Sequence, residues 1–280
     1  MSKTRLTAFF AIFLVAIASL VVAGCGGSDS SGGSTGGSET SASGGGGEKL
    51  SVGSDIPYPP FEEGQPGHFT GFDVELMEAI GKEIDREVEF QDTSFTTIFV
   101  NLAQGKFEAV ASAATITPER EKTIDFSNPY YISEQAILVK EDGEVDSVKG
   151  LKGATVGVQK GTTGEEFVEE KGEAGELRSY PTGPDAVNAL TAGTVDAVVI
   201  DIPVAEHAVE AGGADIEVSA AIPTEEEYGF AVAQGDTSLL ESINEGLAAV
   251  IENGTYAKLY EKWFHHEPPA AIETATHEAS

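Results

Sequence analysis

Sulfur chemistry is almost absent from this chain: one cysteine, Cys25, and two methionines in 280 residues rule out an intrachain disulfide framework and a cysteine-built metal cluster. Basic residues are also scarce. Sixteen Lys and Arg stand against 47 Asp and Glu, a formal net charge of −31 that repels phosphate backbones and argues against a nucleic-acid partner. The acids are dispersed along the chain, as in a solvated, solubilising surface. The one Gly-x-Ser-x-Gly, Gly32-Gly33-Ser34-Thr35-Gly36, falls in a Gly/Ser run with no strand or helix pattern around it, and none of His68, His207, His265, His266 and His277 falls in a catalytic or metal-ligating spacing. We therefore expect no triad, no metal, no cofactor and no enzymatic activity. Beyond the first 25 residues no stretch approaches the ~20 apolar residues of a bilayer span.

The two ends have their own compositions. Lys3 and Arg5 precede an apolar run from Ala8 to Val22, which closes on Val22-Ala23-Gly24-Cys25. That ending resembles a bacterial lipobox, which implies that residues 1–25 are a signal peptide and that Cys25 becomes a lipidated anchor. Residues 26–48 are Gly, Ser, Thr and Ala with Asp29, Glu39 and Glu48, too polar to bury a core. They read as a tether with an rms reach of roughly 27 Å. His265 to Ser280 carries Pro268-Pro269 and no apolar period, and residues 266–280 are expected to be a disordered tail.

Between these ends strands and helices alternate, which indicates an α/β fold with βαβ units. Leu50–Gly53 is a strand entering a stiff loop with three prolines, Ser54-Asp55-Ile56-Pro57-Tyr58-Pro59-Pro60-Phe61. From Gly71 to Ile84 a helix buries Leu76, Met77, Ile80 and Ile84, and its first-turn acids Asp73 and Glu75 suit the helix dipole without further chemistry. Val88–Gln91 is a strand, Phe95–Gln104 a helix and Phe107–Ala113 the next strand. Thr117-Pro118-Glu119 then reads as the N-cap and first turn of a short helix carrying Arg120. The alternation resumes from Ala154 to Ile200, and residues 236–263 are helical. Strand ends that open into helix starts are ligand sites in such sheets. On residues alone, Arg120 could equally pair with surface acids, Asp201 could be a helix-start acid beside Pro203, and Tyr58 and Phe95 could be core. Glu225-Glu226-Glu227 reads as a solvated run.

The stretch Gly71–Ile84 resembles the signature of the family 3 extracellular solute-binding proteins, the polar amino-acid receptors of ABC importers. The likeness continues through Thr115–Arg120, Asp125–Tyr131, Gly157-Val158-Gln159, Gly254-Thr255-Tyr256 and Lys262-Trp263-Phe264. It implies a two-lobed, type II periplasmic-binding-protein-like fold with a hinge, lobe 1 from residues 49–131 and 230–265 and lobe 2 from 132–229. It further implies that Arg120 binds an α-carboxylate, Thr115 and Ala113 add hydroxyl and backbone contacts, and Asp201 binds the α-ammonium. Thr163, opening a helix after Gly161-Thr162, would meet the carboxylate from lobe 2. Tyr58 and Phe95 would sandwich the side chain, with Asp55 and Gln159 at its far end beside Ile200. Arginine-type receptors are the nearest in pattern, so Arg, Lys or His is the expected ligand, with Gln as the alternative. Gly164 departs from this pattern, since some relatives that bind cations carry a polar side chain there. The expected partners are the importer's permease subunits and, through Cys25, the outer face of a membrane, with the protein itself monomeric. A cyclohexadienyl dehydratase shares the fold and is the alternative of another class.

Overall fold

A computed structural model describes residues 48–172, 174–211 and 215–272. Cys25, the signal peptide and the tether up to residue 47 lie outside these residues.

The chain builds β1 (Glu48–Ser54), a hairpin of β2 (Glu63–Gln65) and β3 (His68–Thr70), α1 (Phe72–Glu83), β4 (Arg86–Asp92), α2 (Phe95–Ala103), β5 (Ala109–Val110) and β6 (Ile124–Phe126). A long β7 (Tyr131–Lys140) leads to β8 (Thr155–Gln159), α3 (Thr163–Phe167), β9 (Glu176–Tyr180), α4 (Gly183–Thr191), β10 (Ala197–Asp201) and α5 (Ile202–Glu210). Then β11 (Ile216–Tyr228) returns to β12 (Ala231–Ala233), α6 (Thr237–Glu252) and α7 (Thr255–Phe264). The first sheet runs β4-β1-β5-β12-β6 and the second β11-β7-β10-β8-β9, one per lobe. In the first, β1 is parallel to β4 and β5; in the second, β8 is parallel to β9 and β10. Parallel strands with helices between them deliver their carboxyl ends to one edge, and in each lobe that edge carries the residues discussed below.

Each lobe has an apolar interior supplied by these patterns. In α1, Leu76, Met77 and Ile80 are fully buried, at the predicted helical spacing. The helix starts where Gly71 adopts φ 127°, and an added Cβ there would lie 2.1 Å from the Phe61 carbonyl oxygen, so only glycine fits. An aromatic cluster of Phe61, Phe72, Tyr131, Tyr228, Tyr260 and Phe264 fills the base of the first lobe, with ring centroids 4.8–6.3 Å apart. Tyr131 begins β7 and Tyr228 ends β11, so this cluster clamps the two crossings between lobes.

Three expectations change, and the crossings between lobes add strands that were not foreseen: β7 and β11 are the longest strands described and pair antiparallel from Tyr131↔Tyr228 to Lys140↔Ile216. Pro223 and the acid run hid β11, because the ladder shifts register between Ile222 and Glu226, where a proline costs no ladder bond. No α-helix follows Pro118: a 3₁₀ turn spans Arg120–Lys122, since β6 begins at Ile124 and leaves no length for more. The strand expected over 107–113 is confined to Ala109–Val110, because the chain turns aside at Ala113, φ 42°. The chain expected to fray beyond Phe264 is packed as far as Ile272, which is 1% exposed and donates its N–H to the Pro269 carbonyl.

Gly71→Ala should lower unfolding stability by about 1–3 kcal/mol or more through backbone strain and overlap with Phe61. The check is a urea titration in which the midpoint falls while the slope is unchanged.

Candidate functional site

Asp55 and Tyr58 follow β1, Phe95 opens α2, and Ala113, Thr115 and Arg120 follow β5. From the second lobe come Gln159 at the end of β8, Thr163 at the start of α3 and Asp201 at the end of β10. All nine line a single cavity with about 280 Å³ of empty volume, completed by Ser112 and Thr162. Residues 146 positions apart in sequence thus meet because both sheets present the same edge to the cleft.

Arg120 has no carboxylate partner among the described residues. Its Nη1 donates to the Thr115 carbonyl at 2.7 Å and its Nη2 to the Gly161 carbonyl, across the cleft, at 3.3 Å. The guanidinium carbon lies 5.3 Å from the Phe95 ring centroid and 5.0 Å from that of Phe99. Carbonyl dipoles and ring faces hold a guanidinium without neutralising it. Burial draws its pKa below the usual value, opposed by the charges of Glu166, Glu226 and Asp201. The position of this cation is set by Thr117, whose hydroxyl oxygen accepts the Arg120 N–H at 3.2 Å.

Opposite it stand carboxylates. Asp201 is 6% exposed, and burial, then the charge of Glu226, push its pKa up to about 7. The Tyr58 hydroxyl and the Gln135 amide, at 2.5 Å, donate to it. Asp55 is pushed up to about 6, chiefly by burial, and accepts from Gln159 Nε2 at 2.6 Å and from the Phe95 backbone N–H at the start of α2. Its own backbone N–H donates to Ser112 Oγ at 2.9 Å. A buried carboxylate is tolerable only with such donors.

Several working residues were missed. Asp73, read only as a dipole-suited acid, is fully buried and accepts the Ala113 N–H at 2.8 Å and the Tyr130 hydroxyl at 2.6 Å. It thereby holds Ala113 in its left-handed conformation and takes up its N–H, so that the backbone contact expected from Ala113 falls to the carbonyl. Burial raises its pKa, as it raises that of Glu62, which accepts from Ser112 Oγ at 3.0 Å. Glu226 corrects the reading of its acid run: it is 6% exposed and accepts from Thr115 Oγ1, Thr163 Oγ1 and Gln135 Nε2. Gln135, in β7, had no motif to mark it. It also accounts for Gly164, where an added Cβ would lie 2.8 Å from Gln135 Oε1 and 3.3 Å from the Val199 carbonyl oxygen. Among the described residues no group of His, Cys, Asp and Glu is arranged for a metal ion, and no helix is long and apolar enough to cross a membrane.

Residues 50–266 match the model of the bacterial extracellular solute-binding proteins, family 3. The L-cystine-binding protein TcyJ of Escherichia coli K12 is 33% identical over 77% of this chain and 82% of its own. An ancestral arginine-binding protein, solved with arginine, shares 38% identity and a TM-score of 0.74 over 77% of this chain and 98% of that one. An ancestral amino-acid-binding protein described as a precursor of cyclohexadienyl dehydratase shares 40% identity and a TM-score of 0.72, covering 77% and 95%.

Raised carboxylate pKa values have a defined consequence for stability. An acid whose folded pKa exceeds its unfolded value near 3.8 holds an extra proton in the folded state, so stability is fullest below that value and is lost as pH rises through the folded one. The unliganded protein should therefore lose stability from about pH 4 to pH 7, through the windows of Asp55 and Asp201. Asp201→Asn should flatten the upper part of that decline. Thermal unfolding of both proteins at several pH values is the check, and parallel curves would refute the assignment.

Proposed function

Because the chain belongs to the bacterial extracellular solute-binding proteins of family 3, an amino-acid-binding role in ABC import follows, and we propose that its ligand is a single free amino acid with a cationic side chain. The observation that carries this is the charge of the cleft. Asp55 and Asp201 line a space whose one cation is Arg120, Glu226 is buried behind its Thr115 and Thr163, and buried charges of one sign call for a ligand of the other. An arginine or lysine zwitterion places its carboxylate on Arg120, where a bidentate grip is available, its ammonium on Asp201, and its side-chain cation on Asp55. Thr163, at the start of α3, and Thr115 line the same end, while Tyr58 and Phe95 flank the side chain. Contacts from both lobes mean that the ligand favours the closed arrangement, which the importer can read as shape.

One observation favours glutamine as a second reading. The Gln159 amide already sits on Asp55 at 2.6 Å, so an amide is a fitting donor there. The likeness to a dehydratase precursor shows that the fold alone does not separate binding from catalysis. We read the site as non-catalytic because its carboxylates are held by donors that suit them as fixed charges. Cys25 as a lipidated N-terminus, residues 26–48 as tether, a lobe boundary near residues 131 and 230, and a monomeric state complete the proposal. A ligand recovered unchanged after incubation, and no turnover of prephenate or arogenate, is its expected behaviour.

Arg120→Ala should cost about 2–5 kcal/mol of affinity, roughly thirty- to several-thousandfold in dissociation constant, while the protein still folds. Titration calorimetry reads this directly, and a loss within about threefold would return Arg120 to a surface role.

In a thermal-shift panel of the twenty amino acids, arginine or lysine should raise the unfolding midpoint most. Asp55→Asn should weaken a cationic ligand much more than glutamine. Greatest stabilisation by Glu, Asp or Leu would show that Asp55 does not face the ligand side chain.

A further inference from the structure

Glu226 belongs to no motif and stands outside the set of residues read from sequence, yet its carboxylate touches both lobes. Thr115, beside β5, donates its hydroxyl proton to Oε2 at 2.6 Å, and Thr163, the first residue of α3, donates to the same oxygen at 2.8 Å. The other oxygen, Oε1, accepts from Gln135 Nε2 at 2.9 Å, and that amide also donates to Asp201. The pleat of β11 aims the side chain inward: Glu226 shares a face with the buried Ile222 and Tyr228, while its neighbours Glu225, at φ 52°, and Glu227 stay exposed.

A hydroxyl has one proton and two lone pairs. Once both threonine protons are committed to Glu226, what remains to face a ligand is acceptor only. We propose that Glu226 is a positioning residue that fixes this proton order: it turns the Thr115 and Thr163 hydroxyls into acceptors and so dedicates this wall of the cleft, with Asp201, to the ligand's α-ammonium. Three N–H donors then meet a carboxylate and two hydroxyl oxygens, the α-carboxylate is left to Arg120, and the Thr163 hydroxyl, expected on the carboxylate, serves the ammonium instead. The inference rests on the amino-acid reading above and assigns the polarity of its site. It also explains why a carboxylate is kept where a merely structural hydrogen-bonding residue would have lower desolvation cost.

The test pairs Glu226→Gln with removal of the ligand's amino group. Gln has nearly the same size but brings its own N–H donors, which occupy hydroxyl lone pairs and release the hydroxyl protons to turn toward the cleft. Calorimetry would compare L-arginine with 5-guanidinopentanoic acid, its analogue lacking the α-amino group, on the wild-type protein and the variant. L-Glutamine and 4-carbamoylbutanoic acid form the matching pair if arginine does not bind. In the wild type, loss of the amino group should weaken binding by about a hundredfold or more. In Glu226→Gln that penalty should shrink at least about tenfold, because the amino acid weakens while the analogue does not. Should the variant fail to fold, Thr163→Val, which removes one of the two oriented hydroxyls and leaves Glu226 in place, should shrink the same penalty. Equal weakening of both ligands, or of neither, would reduce Glu226 to a strut of the hinge and overturn the inference while leaving the ligand reading intact. No binding of either amino acid by the wild type would overturn both.

Discussion

Closing two lobes over more buried carboxylate than cation is the constraint on which the rest of this structure depends. Asp55, Asp201 and Glu226 are each about 5–6% exposed, and Arg120 is the cation that faces them. Burial draws Asp55 and Asp201 toward their protonated forms, and the fold partly offsets this with donors: the Gln159 and Gln135 amides, the Tyr58 hydroxyl and the start of α2, with the threonines on Glu226. These donors are neutral. They hold the acids in place without cancelling their charge, which leaves a field that a positively charged ligand completes.

The two lobes are tied together by the same elements that shape the site. The strands β7 and β11 are the crossings, and they carry Gln135 and Glu226 into the cleft. At their base the stacked Tyr131 and Tyr228, 5.5 Å apart, lock them into the aromatic cluster of the first lobe. A motion of one lobe therefore moves the polar network directly, with no intervening relay. Close fits narrow the options further: Gly164 is small because Gln135 is beside it, and an added Cβ on Gly183 would lie 2.8 Å from the Tyr58 ring across the cleft. Interdigitation of this kind makes closure a discrete state with its own contacts.

Part of this was legible in the residue order because it depends on local rules. The spacing of Leu76, Met77 and Ile80 specifies a helix face wherever the chain folds, and alternating strands and helices specify parallel sheets whose carboxyl ends gather ligand residues. Nine of the eleven residues lining the cavity could be named, through the family resemblance of the motifs around them. Arg120 was legible as a candidate cation, although the helix expected to carry it is only a 3₁₀ turn.

What the residue order could not reveal was which of 47 acids would be buried. Asp73 and Glu75 occupy the same helical turn and suit its dipole equally, but one lies under Ala113 and Tyr130 while the other reaches Lys262 at 2.6 Å on the surface. Glu225, Glu226 and Glu227 are chemically identical. Only the pairing of β11 with β7, two strands that meet across some ninety residues, puts the middle one on the face that buries Ile222 and Tyr228. Helix and strand formation answers to neighbours in sequence, whereas desolvation answers to neighbours in space. The architecture was therefore determined locally, and the charge of the cleft was decided by tertiary packing alone.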